Sequence, residues 1–424
     1  MMQSANNIII PVEIFVREFQ SRLLLALECL KRGYNVILGE QEAVKGNICN
    51  FSKGIYFDKS LAKNKLLFFR RLKELGHKLA SNDEEGLMAI NNTYSYLNNR
   101  HCHENFMNCE LFFCWGEDER KLINDYYPKF KNKIKNSGNI RVDLWEINLT
   151  KKLYEDEINE IKNKYNKYIL MATNFAYPHS RGDESFLFEQ AVNFGVINNP
   201  GEYYLWKNKR EYKIKCYNAF KSLVINLSKS IDSNIILRPH PAENVDHWKH
   251  ITKDLNVYVE SDHSISPWIS EAECVIHNSC TSGLESYYQG IRTISYLPYT
   301  ENEDVKHPSN KVSRIAKDHD EIIQLINHGE TVNNNSKIDL KITKSGNNHI
   351  TIVNYLDKIK FKSDKRDIKS LIKCERDKAD LQKFPDLTLD YLKEKINLLS
   401  NIYKFNFKIE VKEMMDNLWT MQPG

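Results

Sequence analysis

Residues 8–39 read IIIPVEIFVREFQSRLLLALECLKRGYNVILG, and this stretch decides the fold. Ile8, Ile9 and Ile10 ahead of Pro11 form an apolar run of strand length. From position 16 to 32 apolar residues return at helical spacing, at Phe19, Leu23, Leu24, Ala26, Leu27 and Leu30, and Gly33 supplies the stop. Residues 35–38 are strand-like again and close at Gly39. Strand, helix, glycine, strand opens a βαβ unit, which predicts a parallel sheet covered by helices.

Working outward, strand-sized pieces follow at residues 54–57, 77–80 and 111–115. Residues 153–168 are charged and helical, and a new strand at 168–172 follows them, so a domain boundary falls there. The α/β alternation then repeats: helix 212–228, strands 234–237 and 257–259, helix 267–273, strand 274–277, helix 281–288 closed by Gly290, and strand 293–297. After about residue 330 the pattern fades. Basic residues dominate 355–383, residues 387–403 suit an amphipathic helix, and Met414 and Met415 read as buried helix residues. The expected organisation is α/β, with two doubly wound Rossmann-like domains over 1–150 and 151–335 and a helical basic tail over 336–424 that partly bridges back. A length of 424 residues suits two cores.

A formal charge of +4 is too small at this length to indicate a nucleic-acid binder. No apolar run approaches the roughly 20 residues that span a bilayer. Residues 1–7 carry no Lys or Arg, unlike a secretory signal. Nine scattered cysteines without a CxxC pair suit reduced thiols, and the expected location is the cytoplasm. The basic tail reads as a solvated helical face; its sharper reading is a peripheral patch for anionic lipid at the inner membrane face.

Two loops carry the chemistry. Leu237-Arg238-Pro239-His240-Pro241 follows a predicted strand, and its prolines stop that strand abruptly. Arg238 and His240 then stand at the carboxyl edge of the sheet, where open α/β sheets bind ligands. Arg offers a fork to phosphate, and His can donate to a phosphate oxygen or protonate a leaving group. The second loop, His277-Asn278-Ser279-Cys280-Thr281-Ser282-Gly283-Leu284-Glu285, is another strand end running into a helix. Small residues at a helix start leave backbone N–H groups and the helix dipole for an anion, and Glu285 is placed to accept from ribose hydroxyls. Ser279 or Thr281 equally suits a helix N-cap. Together the loops predict a nucleotide phosphate site.

The segment Arg238-Pro239-His240-Pro241-Ala242-Glu243-Asn244, then Trp248, Trp268-Ile269 and Val275 through Glu285, resembles the family of bacterial surface carbohydrate biosynthesis proteins. Pro11, Glu13, Arg17-Glu18, Leu23 through Ala26 and Arg32-Gly33 fit it as well. So does the stretch from Gly138 to Trp145, similar to the end-of-domain signature of related GT-B proteins, with Ile140 where Pro is usual. The resemblance spans roughly residues 7–300. It implies a metal-independent GT-B glycosyltransferase whose domains face across a cleft. The His240-Pro241 pair also resembles the HP motif of bacterial GT-B sialyltransferases and capsule Kdo transferases, where it contacts the phosphate of a CMP-activated acidic sugar. Ser279, Thr281 and Ser282 are candidates for the accompanying hydroxyl motif.

Asn82-Asp83-Glu84-Glu85-Gly86 resembles the acid-acid-Gly motif of the same sialyltransferases, where one carboxylate deprotonates the acceptor hydroxyl. Glu84 and Glu85 both remain candidates. Glu13 is the candidate nucleophile should configuration be retained through a covalent step. Arg17 and Asn174 are expected to line the cleft, with His179, Arg181 and Asp183 as a polar loop near it. Glu18 suits a capping role. His101, His103, Cys109 and Cys114 lack zinc-site spacing and sit among core aromatics, so no metal is expected. The predicted function is transfer of a CMP-activated nonulosonic acid or Kdo onto a surface-glycan or glycolipid acceptor, without a cofactor. Alternatives of the same fold are a UDP-GlcNAc 2-epimerase-like enzyme and a CDP-glycerol glycerophosphotransferase.

Overall fold

Six strands of the first unit run parallel: β1 (Asn7–Val12), β2 (Asn35–Glu40), β3 (Ile55–Asp58), β4 (Lys78–Asn82), β5 (Cys109–Cys114) and β6 (Ile134–Asn136). Six more build the second unit: β7 (Tyr168–Ala172), β8 (Asn234–Arg238), β9 (Val257–Val259), β10 (Cys274–His277), β11 (Thr293–Tyr296) and β12 (Arg314–Ala316), also parallel. Beyond them lies an antiparallel hairpin, β13 (Ile409–Met415) and β14 (Leu418–Pro423). The structure is a computed structural model and describes the chain except residues 1–5, 87–96, 98–99, 176–183, 194–195, 302–303, 305, 329–345, 361–370, 374 and 377.

The chain divides into two compact units. One comprises Met1–Ala89, Tyr96–Leu144 and Lys341–Gly424; the other comprises Ile90–Ser95 and Trp145–Leu340. In the first, the sheet order is β13-β14-β2-β1-β3-β4-β5-β6, and in the second β12-β11-β10-β7-β8-β9. Each sheet reverses direction of growth beside its first strand, between β1 and β3 and between β7 and β10. Those switch points leave a crevice at the carboxyl ends of the strands.

The helix Phe15–Lys31 is buried almost all round, with Leu23 through Leu27 fully out of water. One face covers the sheet. The other is covered by the helices Asn348–Leu356 and Leu389–Tyr403, and by rings of Phe384 and Tyr391 against Phe15 and Phe19. A helix whose central turns, from Leu23 to Leu27, are apolar all round needs such double cover. Gly33, at φ +83°, ends it in the left-handed conformation that glycine takes without a Cβ penalty.

The tail departs from the expected all-helical form. Met414 and Met415 lie in β13, not in a helix, and β14 pairs antiparallel with β2, placing Trp419 opposite Leu38. Leu418, Trp419 and Met421 are buried there, so hydrophobic burial on an otherwise open sheet edge outweighs the helical pattern of the preceding segment. Among the described residues no helix is long and apolar enough to cross a membrane.

Candidate functional site

In the second unit, β7 lies between β8 and β10, so the two loops singled out in the sequence leave the sheet on either side of one strand end. Thr173 and Asn174 at that end hold both. The His240 amide donates to Thr173 Oγ1 (3.2 Å), and Asn174 Nδ2 donates to the Ser279 carbonyl (3.3 Å).

Glu243 locks the first loop. Its side chain is fully buried; Oε1 accepts from Thr173 Oγ1 (2.7 Å), the Phe175 amide (2.7 Å) and the His240 amide (3.3 Å), while Oε2 accepts from Trp248 Nε1 (2.7 Å). Burial pushes its carboxyl above the usual range, against the pull of those donors. The ring of His240 is partly exposed, beside the exposed Pro241. Its Nδ1 accepts from the Ala242 amide (3.2 Å), which places the proton of the neutral ring on Nε2. Glu243 and Thr173 carried no role in the sequence reading. The signal was the Glu three residues after His240, but which backbone it clamps depends on the neighbouring strand.

Arg238 corrects an expectation. Its guanidinium turns away from the loop, donates to the carbonyls of Asp262 (2.5 Å) and His263 (3.0 Å), and stacks over Trp268 at 5.3 Å. Burial lowers its pKa to about 10. A buried guanidinium takes the carbonyls within reach, so it is no phosphate contact here.

The β10 loop divides similarly. His277 is buried, with Nε2 paired to Ser313 Oγ (2.9 Å), and burial drops its pKa to about 3; it is a core residue, not a donor contact. Ser279 sits at φ +46°, held by donation to Asp304 Oδ1 (2.8 Å) and by a bond from Asn310 Nδ2 (2.9 Å). Its hydroxyl is spent on that network, yet a left-handed serine at a strand end is the kind of enforced backbone found at ligand sites. Cys280 occupies the N-cap position of the helix Thr281–Tyr288 and no side chain caps it, so neither Ser279 nor Thr281 is a cap. Thr281 stays partly exposed, while Ser282 and Gly283 are buried. A Cβ on Gly283 would come within 2.6 Å of His277 Cδ2, so glycine lets the helix start settle on the imidazole. Glu285 is buried and accepts from Ser266 Oγ, which a ribose hydroxyl would have to displace.

In the first unit the acidic loop follows β4, and its two glutamates part company. Glu84 is buried: Oε1 accepts from Arg22 Nη2 (3.1 Å), while Oε2 makes no hydrogen bond and lies 3.7 Å from Arg141 Nη1. Burial pushes its carboxyl up against the pull of both cations. Glu85 is more than a third exposed and pairs with Arg100 (2.7 Å) and Arg17 (3.7 Å). Glu13 is paired to Lys59 (2.5 Å). Glu18 is fully buried; burial raises it, but Lys59 and Arg17 bring its pKa down to about 2, and it takes the Glu13 amide just ahead of the helix. These groups gather at the carboxyl ends of β1, β3 and β4, around the switch point. Arg22 and Lys59 have no role in the sequence pattern, and Arg141 stands there only within the Gly138–Trp145 signature, because only folding brings them to Glu84 and Glu18.

His179, Arg181 and Asp183 lie outside the described residues. His101 packs against Phe106 and Phe112, and burial takes its pKa to about 4. Among the described residues no three His, Cys, Asp or Glu side chains gather as a metal would need.

No family model matches the chain, and no curated protein does. Solved structures do. UDP-GlcNAc 2-epimerase from Methanocaldococcus jannaschii superposes with a TM-score of 0.53 at 12% identity, over 84% of this chain and 99% of that one. The Neisseria meningitidis UDP-GlcNAc 2-epimerase bound to UDP-GlcNAc gives 0.50 at 14% identity, over 84% and 100%. S. aureus MnaA with UDP gives 0.51 at 10%, over 84% and 98%. The fold is therefore α/β with two Rossmann-like parallel sheets, of the GT-B-like class.

Proposed function

We propose that this protein is an enzyme acting on a nucleotide-activated sugar in surface-glycan synthesis, with the nucleotide bound by the second unit. One observation carries the reading: the Nε2–H imidazole of His240 and an uncapped helix start leave the sheet on either side of the same strand end, β7. A phosphate there receives an imidazole N–H donor, backbone N–H groups and the positive end of a helix dipole. The same donors stabilise the nucleotide as it leaves, when the anomeric C–O bond breaks and negative charge collects on the phosphate. Glu84, buried and held above the usual carboxylate range, is the proton acceptor we assign in the first unit.

The first reading of the reaction is epimerisation of a UDP-linked N-acetylhexosamine, in which Glu84 would take the proton at the inverted carbon. The shared fold with UDP-GlcNAc 2-epimerases supports it. The second is glycosyl transfer from a CMP-linked acidic sugar, in which Glu84 would take the acceptor hydroxyl proton. The His240-Pro241 and acid-acid-Gly resemblances favour that one. Both reactions belong in the cytosol, and the eight described cysteines, all free, suit it.

Thermal shift against UMP, UDP, CMP and CDP, followed by turnover of UDP-GlcNAc with and without acceptor, tests this. Stabilisation of about 2.7 kcal/mol is expected at a hundredfold excess over Kd. A uridine preference with acceptor-free turnover supports the epimerase reading, and a cytidine preference the transferase. Stabilisation by no nucleotide refutes both.

A further inference from the structure

A narrow pocket, partly open to solvent, lies at the carboxyl ends of β10 and β11, beside the helix Pro200–Ser230. Tyr212, Lys213, Asn278, Ser279, Tyr299 and Asp304 are among its walls. Three features set it apart from a packing gap. Asn278 is 5% exposed, and its buried Oδ1 has no hydrogen-bond partner, an uncommon and costly state for a native acceptor. Lys213 is half-buried and pairs with no carboxylate among the described residues. Asp304, the acid in the wall, is already taken up: it accepts from Ser279 Oγ, Tyr212 Oη and the Glu301 amide. Nearby, burial first and the Lys213 charge second keep the His307 imidazole neutral, with its pKa at about 3. The pocket thus combines an ammonium and an acceptor that no described residue answers, next to the helix start assigned above to phosphate.

We infer that this pocket takes the distal end of the activated donor, an anionic group on Lys213 with a neighbouring hydroxyl or N–H on Asn278. The inference rests on the nucleotide reading. Its chemistry has two sources: the terminal phosphate of a nucleoside diphosphate, or the carboxylate of an acidic sugar carried on a nucleoside monophosphate. Lys213 separates them, and so reports the donor class.

Calorimetric titration of the full chain with UMP, UDP, CMP and CMP-N-acetylneuraminate, comparing wild type with Lys213→Met and Lys213→Arg, tests it. Lys213→Met should bind UMP and CMP as wild type does. It should lose at least about tenfold toward UDP, if a terminal phosphate is the ligand, or toward CMP-N-acetylneuraminate, if a carboxylate is. Lys213→Arg should keep most of the affinity. Lys213→Gln gives the same measurement should the Met variant unfold. Unchanged affinity for both larger ligands, with His240→Ala weakening every nucleotide, overturns the pocket and spares the nucleotide reading. Equal losses on UMP and UDP overturn it too, since Lys213 then serves the first phosphate. A wild type that binds no nucleotide sinks both.

Discussion

Arg22 donates to Glu84 across 3.1 Å, and both side chains are almost wholly removed from water, at 1% and 4% exposure. The guanidinium also lies over the Phe57 ring at 5.0 Å, so a cation is fixed in place under the acid loop by packing as much as by charge. Taking one member from a buried pair leaves a charge with neither water nor partner. Arg22→Met should therefore cost about 3–5 kcal/mol, read by chemical denaturation, and the double variant with Glu84→Gln should recover much of it. A loss under about 1 kcal/mol in the single variant would contradict the buried pair.

In the base role proposed for it, the same carboxylate should set the acid limb of the pH profile. Burial raises the Glu84 pKa, and Arg22 and Arg141 pull it back. A base must be ionised to act, so kcat should fall on acidification at a pH above the usual glutamate range. Folding stability from this group runs the other way: it is present while Glu84 can stay protonated and is lost as pH rises through the raised pKa. Removing a cation at Arg141→Gln should move the kinetic limb to higher pH, and Glu84→Gln should lower kcat by roughly 10²–10⁴-fold at temperatures where the variant stays folded. An acid limb that Arg141→Gln leaves in place would remove Glu84 from the base role.

The sequence showed strands and helices wherever the pattern is local. The Ile8–Ile10 run, the Leu23–Leu30 stripe and the two strand ends at His240 and His277 are all set by residues within a few positions of one another. It misjudged what depends on distant chain. Arg238 looked like a phosphate ligand because its sequence neighbours are prolines and a histidine. Its orientation follows instead from the Asp262 and His263 carbonyls and the Trp268 face, more than twenty residues away. The same holds for the difference between the buried Glu84 and the more exposed Glu85, which only Arg22, Arg100 and Arg141 make visible.

Gly283 offers a test of the helix start. Alanine is favoured over glycine inside helices by about 1 kcal/mol, so propensity alone predicts that Gly283→Ala stabilises. The methyl would instead press on the His277 ring, 2.6 Å from Cδ2, and that ring is pinned to Ser313. Gly283→Ala should lose about 1–3 kcal/mol in thermal or chemical unfolding and weaken nucleotide binding with it. A rise in melting temperature would show that the imidazole gives way freely.

Glu243→Gln changes one atom in a carboxylate that accepts from three donors on one oxygen and from an indole on the other. Whichever way the amide turns, it sets an NH₂ against an N–H. The variant should lose about 1–3 kcal/mol of stability, and nucleotide affinity should fall though Glu243 itself touches no ligand. Wild-type affinity in Glu243→Gln would mean that His240 needs no clamp.

The hairpin that borders β2 has a consequence for how the chain is made. A ribosome emits β1 through β6, then every strand of the second unit, and only afterwards β13 and β14. Through that interval the nascent first unit carries a bare β2 border and lacks the helices Asn348–Leu356 and Leu389–Tyr403 that roof its first helix. Translation thus completes the later-encoded body before the earlier one, and premature termination anywhere after residue 340 would release a molecule with one finished half and one sticky one.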